Sequence, residues 1–234
     1  MLFLILQAQK RYGVIHVKDN RNLLPFTVGV LAVAIVLMLF NSAQLLAVSS
    51  TGVTRASSGV TLATGVEMPT GTPEVYGKEL DVSYDGVSAS NPQLADATIA
   101  RMGQLDRSIQ LDGDLLKRYI NILYTMHGGI SCEYCCGARS VIFSNGQPAC
   151  GCAHSYAMRG LTKYLLTQHG DQYTDAQILE EVGKWKMLFF PTQLTQKAQI
   201  MESQGVDTNI ISLTTNENRG IEKGVAGGGM VGGC

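Results

Sequence analysis

Apolar and polar positions alternate with a helical period through most of the second half of the chain. Leu94, Thr98, Met102, Leu105 and Ile109 recur at helical spacing, and Asn91-Pro92 ahead of them supplies a cap and a first-turn proline. A second helix, starting at the Asp112 cap, carries Leu116, Tyr119, Ile120 and Leu123 on one side and ends at Gly128-Gly129. A third sets His154 on the same inward face as Met158, Leu161 and Leu165. Thr174-Asp-Ala-Gln177 reads as a capping box for a fourth, in which Ile178, Val182, Trp185 and Phe189 face the core, Glu180 can pair with Lys184, and Pro191 interrupts the pattern. A last amphipathic helix runs from Thr192 to Ser203 with Gly205 as its stop, and Ile210 to Leu213 predicts a short strand.

The first half has a different pattern. Leu23 to Phe40 is uncharged and Leu45 to Val48 can extend it, enough for the ~20 residues that cross a bilayer. Lys10, Arg11, Lys18 and Arg21 precede this run and mainly acidic residues follow it, so the positive-inside rule puts the N-terminus in the cytoplasm and the rest of a single-pass cell-membrane protein outside. A cleaved signal peptide ending at Ala47-Val48-Ser49 is the competing reading, but such a peptide's apolar core usually spans only about 7 to 15 residues. A buried core helix is less favoured because the run has no polar face. The organisation expected is a basic cytoplasmic or interfacial segment (1–22), a transmembrane helix (23–48) and a Ser/Thr/Gly-rich tether (49–90) in which Leu80, Val82 and Tyr84 can form a short strand. A helical Cys-rich domain (91–205) follows, then a short strand and glycine-rich tail (206–234). The fold class is mainly α, with a β-hairpin carrying the cysteines.

Charge adds little. The chain's 234 residues have a formal net charge of −1, and no basic patch points to nucleic acid. The expected partners are the membrane and a metal ion, while no protein partner is readable.

The chemistry is concentrated between His127 and His154, which hold five of the six cysteines. Cys132-x-x-Cys135 is a spacing that serves both chelation and dithiol redox chemistry, and Cys136-Gly137 resembles a zinc-knuckle turn. Cys150-x-Cys152-x-His154 projects three donors to one side if extended. Between the two groups, Arg139 to Gln147 reads as a hairpin turning at Asn145-Gly146, which would bring the groups together. Thiolate and imidazole donors suit a soft or borderline ion, zinc or alternatively copper(I). The preferred ligands are Cys132, Cys135, Cys150 and Cys152, with Cys136 and His154 as substitutes or additions. His127 is equally well read as an imidazole at a helix C-terminus.

Two other readings stay open. Exported thiols oxidise readily, so the cysteines can instead form a disulfide framework that stabilises a structural or interaction subunit. Cys132 and Cys135, with Cys136 resolving, could act as a membrane-tethered thiol–disulfide oxidoreductase, although the βαβ context of a thioredoxin-like motif is missing. Covalent haem is disfavoured because Cys136, not histidine, follows Cys135. No catalytic triad, carboxylate pair or phosphate loop stands out, so the balance is against an enzyme.

His127-Gly128 ahead of Cys132-x-x-Cys135, the Cys150-Gly151-Cys152 element with His154, and the amphipathic helix after it together resemble the PCYCGC-type exported bacterial proteins, a family of uncharacterised function. The resemblance covers about residues 127–191, with the two cysteine elements in reversed order and no proline-cysteine-tyrosine lead-in. It implies an exported, Cys-rich, metal-binding domain and adds no catalytic residue.

Overall fold

Asn91 caps the first helix, α1 (Pro92–Ser108): its Oδ1 accepts the Leu94 N–H at 3.3 Å, and Pro92 fills a position whose N–H would lack a helical partner. The computed structural model describes residues 66–222 and 230–232. The expected transmembrane helix (23–48), the basic segment before it, and Cys234 lie outside the described residues, among which no helix is long and apolar enough to cross a membrane.

Helix α2 (Gly113–Ile120) opens without a side-chain bond from Asp112 and runs on through a wider turn at Asn121–Thr125. Helix α3 (Ala153–Gln168) is capped by the Cys152 sulfur. Helix α4 (Asp175–Phe189) has the expected capping box, with Thr174 and Gln177 satisfying each other's backbone N–H groups. Pro191 then opens α5 (Pro191–Ser203), and Gly205 follows its end at φ +69°. The strand expected at 210–213 is instead a helical turn, α6 (Ile210–Thr214), because the Asn209 side chain accepts the Ser212 N–H at 2.9 Å and starts a helix.

The molecule is mainly α. Helix α1 lies against α3, and Gly103 and Gly160 let the two approach: a Cβ on Gly103 would stand 3.2 Å from the Tyr156 Cβ, and one on Gly160 would strike the Met102 carbonyl oxygen. Met102, Met158, Leu161, Leu165, Val182, Trp185 and Phe189 fill the space between α1, α3 and α4. Side chains of this kind each contribute about 1.5–3 kcal/mol when fully buried. Leu94, expected on the inner face of α1, is 47 % exposed, and Ala95 and Ile99 take the inner positions.

Residues 66–90 are not a tether. Tyr76, Val82, Tyr84 and Val87 are buried in the same core as the helices. Trp185 donates to the Tyr76 hydroxyl (2.8 Å), and Tyr76 and Tyr84 both donate to Glu181 (3.0 and 2.8 Å), which fixes this segment to α4. Leu80 and Val82 sit in tight turns, with their N–H groups bonded to Tyr76 and Gly77, so the short strand does not form.

The expected β-hairpin is likewise reduced. A turn at Asn145-Gly146 is present, with Phe143 and Gln147 bonded across it (2.8 Å) and Gly146 at φ +83°, but pairing stops at a single Ile142–Pro148 bridge. The pairing ends after the Ala149 N–H bond to the Val141 carbonyl (3.1 Å), where the Val141 N–H turns to Ile130 instead (3.0 Å). No strand forms among the described residues.

Candidate thiolate site

The cysteine loops are fixed by polar bonds to elements distant in sequence. Ile130 receives the Val141 N–H and bridges to Thr215, so Cys132 follows a chain segment anchored on both sides, and its side chain is 1 % exposed. Asn216 donates its side-chain amide to the carbonyls of Gly128 (2.9 Å) and Arg139 (2.6 Å), and Arg219 donates to those of Gly137 and Ala138 (2.9 Å each). On the far side of the turn, the buried Arg159 of α3 donates to the Cys150 carbonyl at 2.8 Å and to Val141 at 3.1 Å, while its Nε pairs with Asp106 at 2.8 Å.

These anchors bring three sulfurs together. The Sγ atoms of Cys132, Cys150 and Cys152 all lie within 4.8 Å of one another, close enough to hold a metal ion. Cys132 and Cys152 are 3.2 Å apart, and the Ser155 hydroxyl lies 2.9 Å from Cys132. Cys136, which is exposed, forms a disulfide with the buried Cys150. Cys135, partly buried, and His154 both lie outside this set of mutually close ligand atoms, so the structure assembles only part of the expected ligand group.

His154 is fully buried between Phe189 and Phe190, with ring centroids at 4.8 and 5.0 Å. Its Nε2 lies 3.0 Å from the Val231 carbonyl. With Nε2 donating to that carbonyl, Nδ1 is the nitrogen left to act on Cys152: it makes no hydrogen bond of good geometry, offers a lone pair in the neutral ring, and can donate to the Cys152 thiolate only when the ring is protonated. Val231 is in turn bound through its N–H to Phe189 (2.9 Å), so this part of the glycine-rich tail is packed in place. His127 is remote from these donors; it pairs with Glu217 at 2.9 Å, in keeping with its reading as a helix-terminal imidazole.

Electrostatics favour charge on one member of the sulfur pair. The Cys132 thiol shares its proton with Cys152, so the Cys152 pKa falls well below the usual thiol range, against the effect of burial; His154, the Ser155 hydroxyl and the Ser155 N–H lower it further. Cys132 moves the other way, raised by the same hydrogen bond and then by burial. Beside Cys132, Glu133 has a left-handed backbone (φ +53°) and sends its carboxylate between Lys186 (3.2 Å) and Lys197 (3.4 Å), both of them fully enclosed. Burial raises the Glu133 pKa, but the two lysines and the Gly220 N–H more than offset it, leaving the carboxyl below its ordinary value. Burial pulls Lys186 down to about 8, opposed by Glu133 and by Cys132. Two ammonium groups around one carboxylate leave an enclosed excess of one positive charge next to the thiols.

Sequence reasoning missed Ser155, Arg159, Lys186, Lys197 and Glu133. The signal available was a charged or hydroxyl side chain on the inward face of an apolar stripe: Arg159 follows Met158, and Lys186 follows Trp185. Compared with protein-family models, with curated proteins and with solved structures, the chain finds no match.

Proposed function

We propose that the reduced protein binds a soft or borderline metal ion, zinc or copper(I), through Cys132, Cys150 and Cys152, with His154 Nδ1 as a fourth donor, in a membrane-anchored protein whose metal-binding part is extracytoplasmic. The observation that carries the reading is the convergence of three sulfurs within 4.8 Å. Two further facts support it. The buried His154 has one nitrogen bonded to a carbonyl, the outer-shell arrangement common for ligating histidines, which leaves the other, Nδ1, as the one that acts on Cys152. A zinc ion on three thiolates carries one net negative charge, which the excess ammonium of the Lys186–Glu133–Lys197 cluster would balance; a buried charge left unbalanced is costly. The resemblance to exported PCYCGC-type proteins and the apolar 23–48 run support the placement outside the membrane.

The test is elemental analysis of the full chain, purified in detergent and reduced without oxygen before loading. Near-stoichiometric zinc or copper is expected, with uptake lost in Cys152→Ser and Cys132→Ser. Metal-free protein with fully titratable thiols would overturn the reading.

A second reading is favoured by the low pKa of Cys152 at a helix N-cap with Cys132 at 3.2 Å: thiol–disulfide exchange, in which the Cys152 thiolate attacks a partner disulfide and Cys132 resolves the product. It predicts insulin reduction by the metal-free chain, abolished by Cys152→Ser.

A further inference from the structure

Cys150 belongs to two groups at once. Its sulfur is within 4.8 Å of both Cys132 and Cys152, yet it is also bonded to Cys136. A half-cystine sulfur has no thiolate charge to give a metal ion, so the same atom cannot serve both groups together.

Resting on the metal reading above, we propose that Cys136 is a redox latch on the site: oxidation to the Cys136–Cys150 disulfide withdraws a donor and releases the ion, and reduction restores it. The asymmetry of exposure supports this direction of events. Cys136 is open to solvent, whereas Cys150 and Cys132 are 7 % and 1 % exposed, so an oxidant meets Cys136 first. Both ends of the bridge are also held before it forms. Arg219 grips the backbone at Gly137 and Ala138, directly after Cys136, and Arg159 grips the Cys150 carbonyl at 2.8 Å. Neither clamp uses a sulfur, so the two thiols stay near each other in the reduced protein and the site can reassemble.

With a small exogenous disulfide as oxidant, the steps balance as follows. The Cys136 thiolate attacks one sulfur of the reagent; the reagent's S–S bond breaks, one of its halves leaves as a thiolate, and the other remains on Cys136. The Cys150 thiolate then attacks the Cys136 sulfur, expelling the second half as a thiolate. Two protein thiolates are oxidised, one external disulfide is reduced to two thiolates, and the ion, unchanged in oxidation state if it is zinc, is left with Cys132, Cys152 and His154.

The experiment loads the reduced full chain with zinc, adds oxidised glutathione, follows zinc with a chromogenic chelator, and maps disulfides by mass spectrometry. Wild type should release zinc as the Cys136–Cys150 peptide pair appears. Cys136→Ser, altered at an exposed position, should bind zinc as wild type does and retain it at least about tenfold longer under the same oxidant, as expected when the accessible thiolate is removed. Equal loss from both proteins, or formation of the bridge with zinc retained, overturns the latch while leaving the metal reading intact. Failure of Cys136→Ser to bind zinc makes Cys136 a ligand and also overturns it. A reduced wild type that takes up neither zinc nor copper(I) overturns the metal reading and the latch with it.

Discussion

Where α1 crosses α3, two glycines let backbone meet side chain and backbone directly, and apolar side chains surround the contact, with the buried Asp106 of α1 paired to Arg159 and Lys163 of α3 at one end. The loops from Met126 to Cys152 are built differently. There the chain passes through left-handed conformations at His127, Gly128, Gly129, Glu133, Gly137 and Gly146, and its carbonyls are held by Asn216, Arg219 and Arg159. The first region derives its stability from close fit; the second derives its shape from charged and amide side chains supplied by α3 and by the segment after α6. A site whose three sulfurs come from irregular backbone therefore needs a rigid helical frame to give them fixed positions.

This contrast can be broken in steps. The largest effect is expected from Gly160→Ala, because the new methyl meets the fixed Met102 carbonyl rather than a flexible side chain. Overpacking of this kind should cost about 3 kcal/mol or more, read as a collapse of the urea midpoint, with the thiol site lost together with the helices. Arg159→Met comes next. It removes bonds to the Cys150 and Val141 carbonyls and one partner of the buried Asp106, which keeps Lys163 at 2.8 Å, so a loss of about 3 kcal/mol is expected together with weakened metal uptake.

Asn216→Ala sharpens the comparison because it touches only the loops. Leaving the Gly128 and Arg139 carbonyls without this donor should cost about 1–3 kcal/mol, while metal uptake falls more than helix content by circular dichroism. Equal losses would mean that loops and helices are one cooperative structure rather than frame and cargo.

How legible these regions were follows from the distance between partners. Caps and stops are local, so Asn91, the Thr174–Gln177 box and Gly205 could be read directly. The inward position of His154 followed from helical period alone. Residues 66–90 could not be read as folded, because Tyr76 and Tyr84 are sparse among polar residues and their partners, Glu181 and Trp185, lie about a hundred positions away. The convergence of Cys132 with Cys150 and Cys152 was legible through the Asn145-Gly146 turn. The buried ions were not, since amphipathic reasoning assigns Arg159, Lys186 and Lys197 to solvent.

The smallest effect belongs to the surface link between the 66–90 segment and α3. Glu79 accepts from Tyr164 and pairs with His169 at 2.8 Å, and these bonds, Tyr164 first, hold its carboxyl below the ordinary range. A depressed carboxyl contributes stability that is present above its unfolded pKa and fades as pH falls through the folded value. Glu79→Gln should therefore flatten only the acid limb of the stability–pH profile below about pH 4.5, with little change at pH 7.

The central claim is that the three converging sulfurs hold an ion. X-ray absorption at the zinc edge of the reduced, zinc-loaded full chain measures this directly. The account predicts a shell dominated by sulfur at about 2.3 Å with one nitrogen at about 2.0–2.1 Å, and loss of one sulfur in Cys150→Ser. A shell of light atoms alone, unchanged by Cys150→Ser, would contradict it.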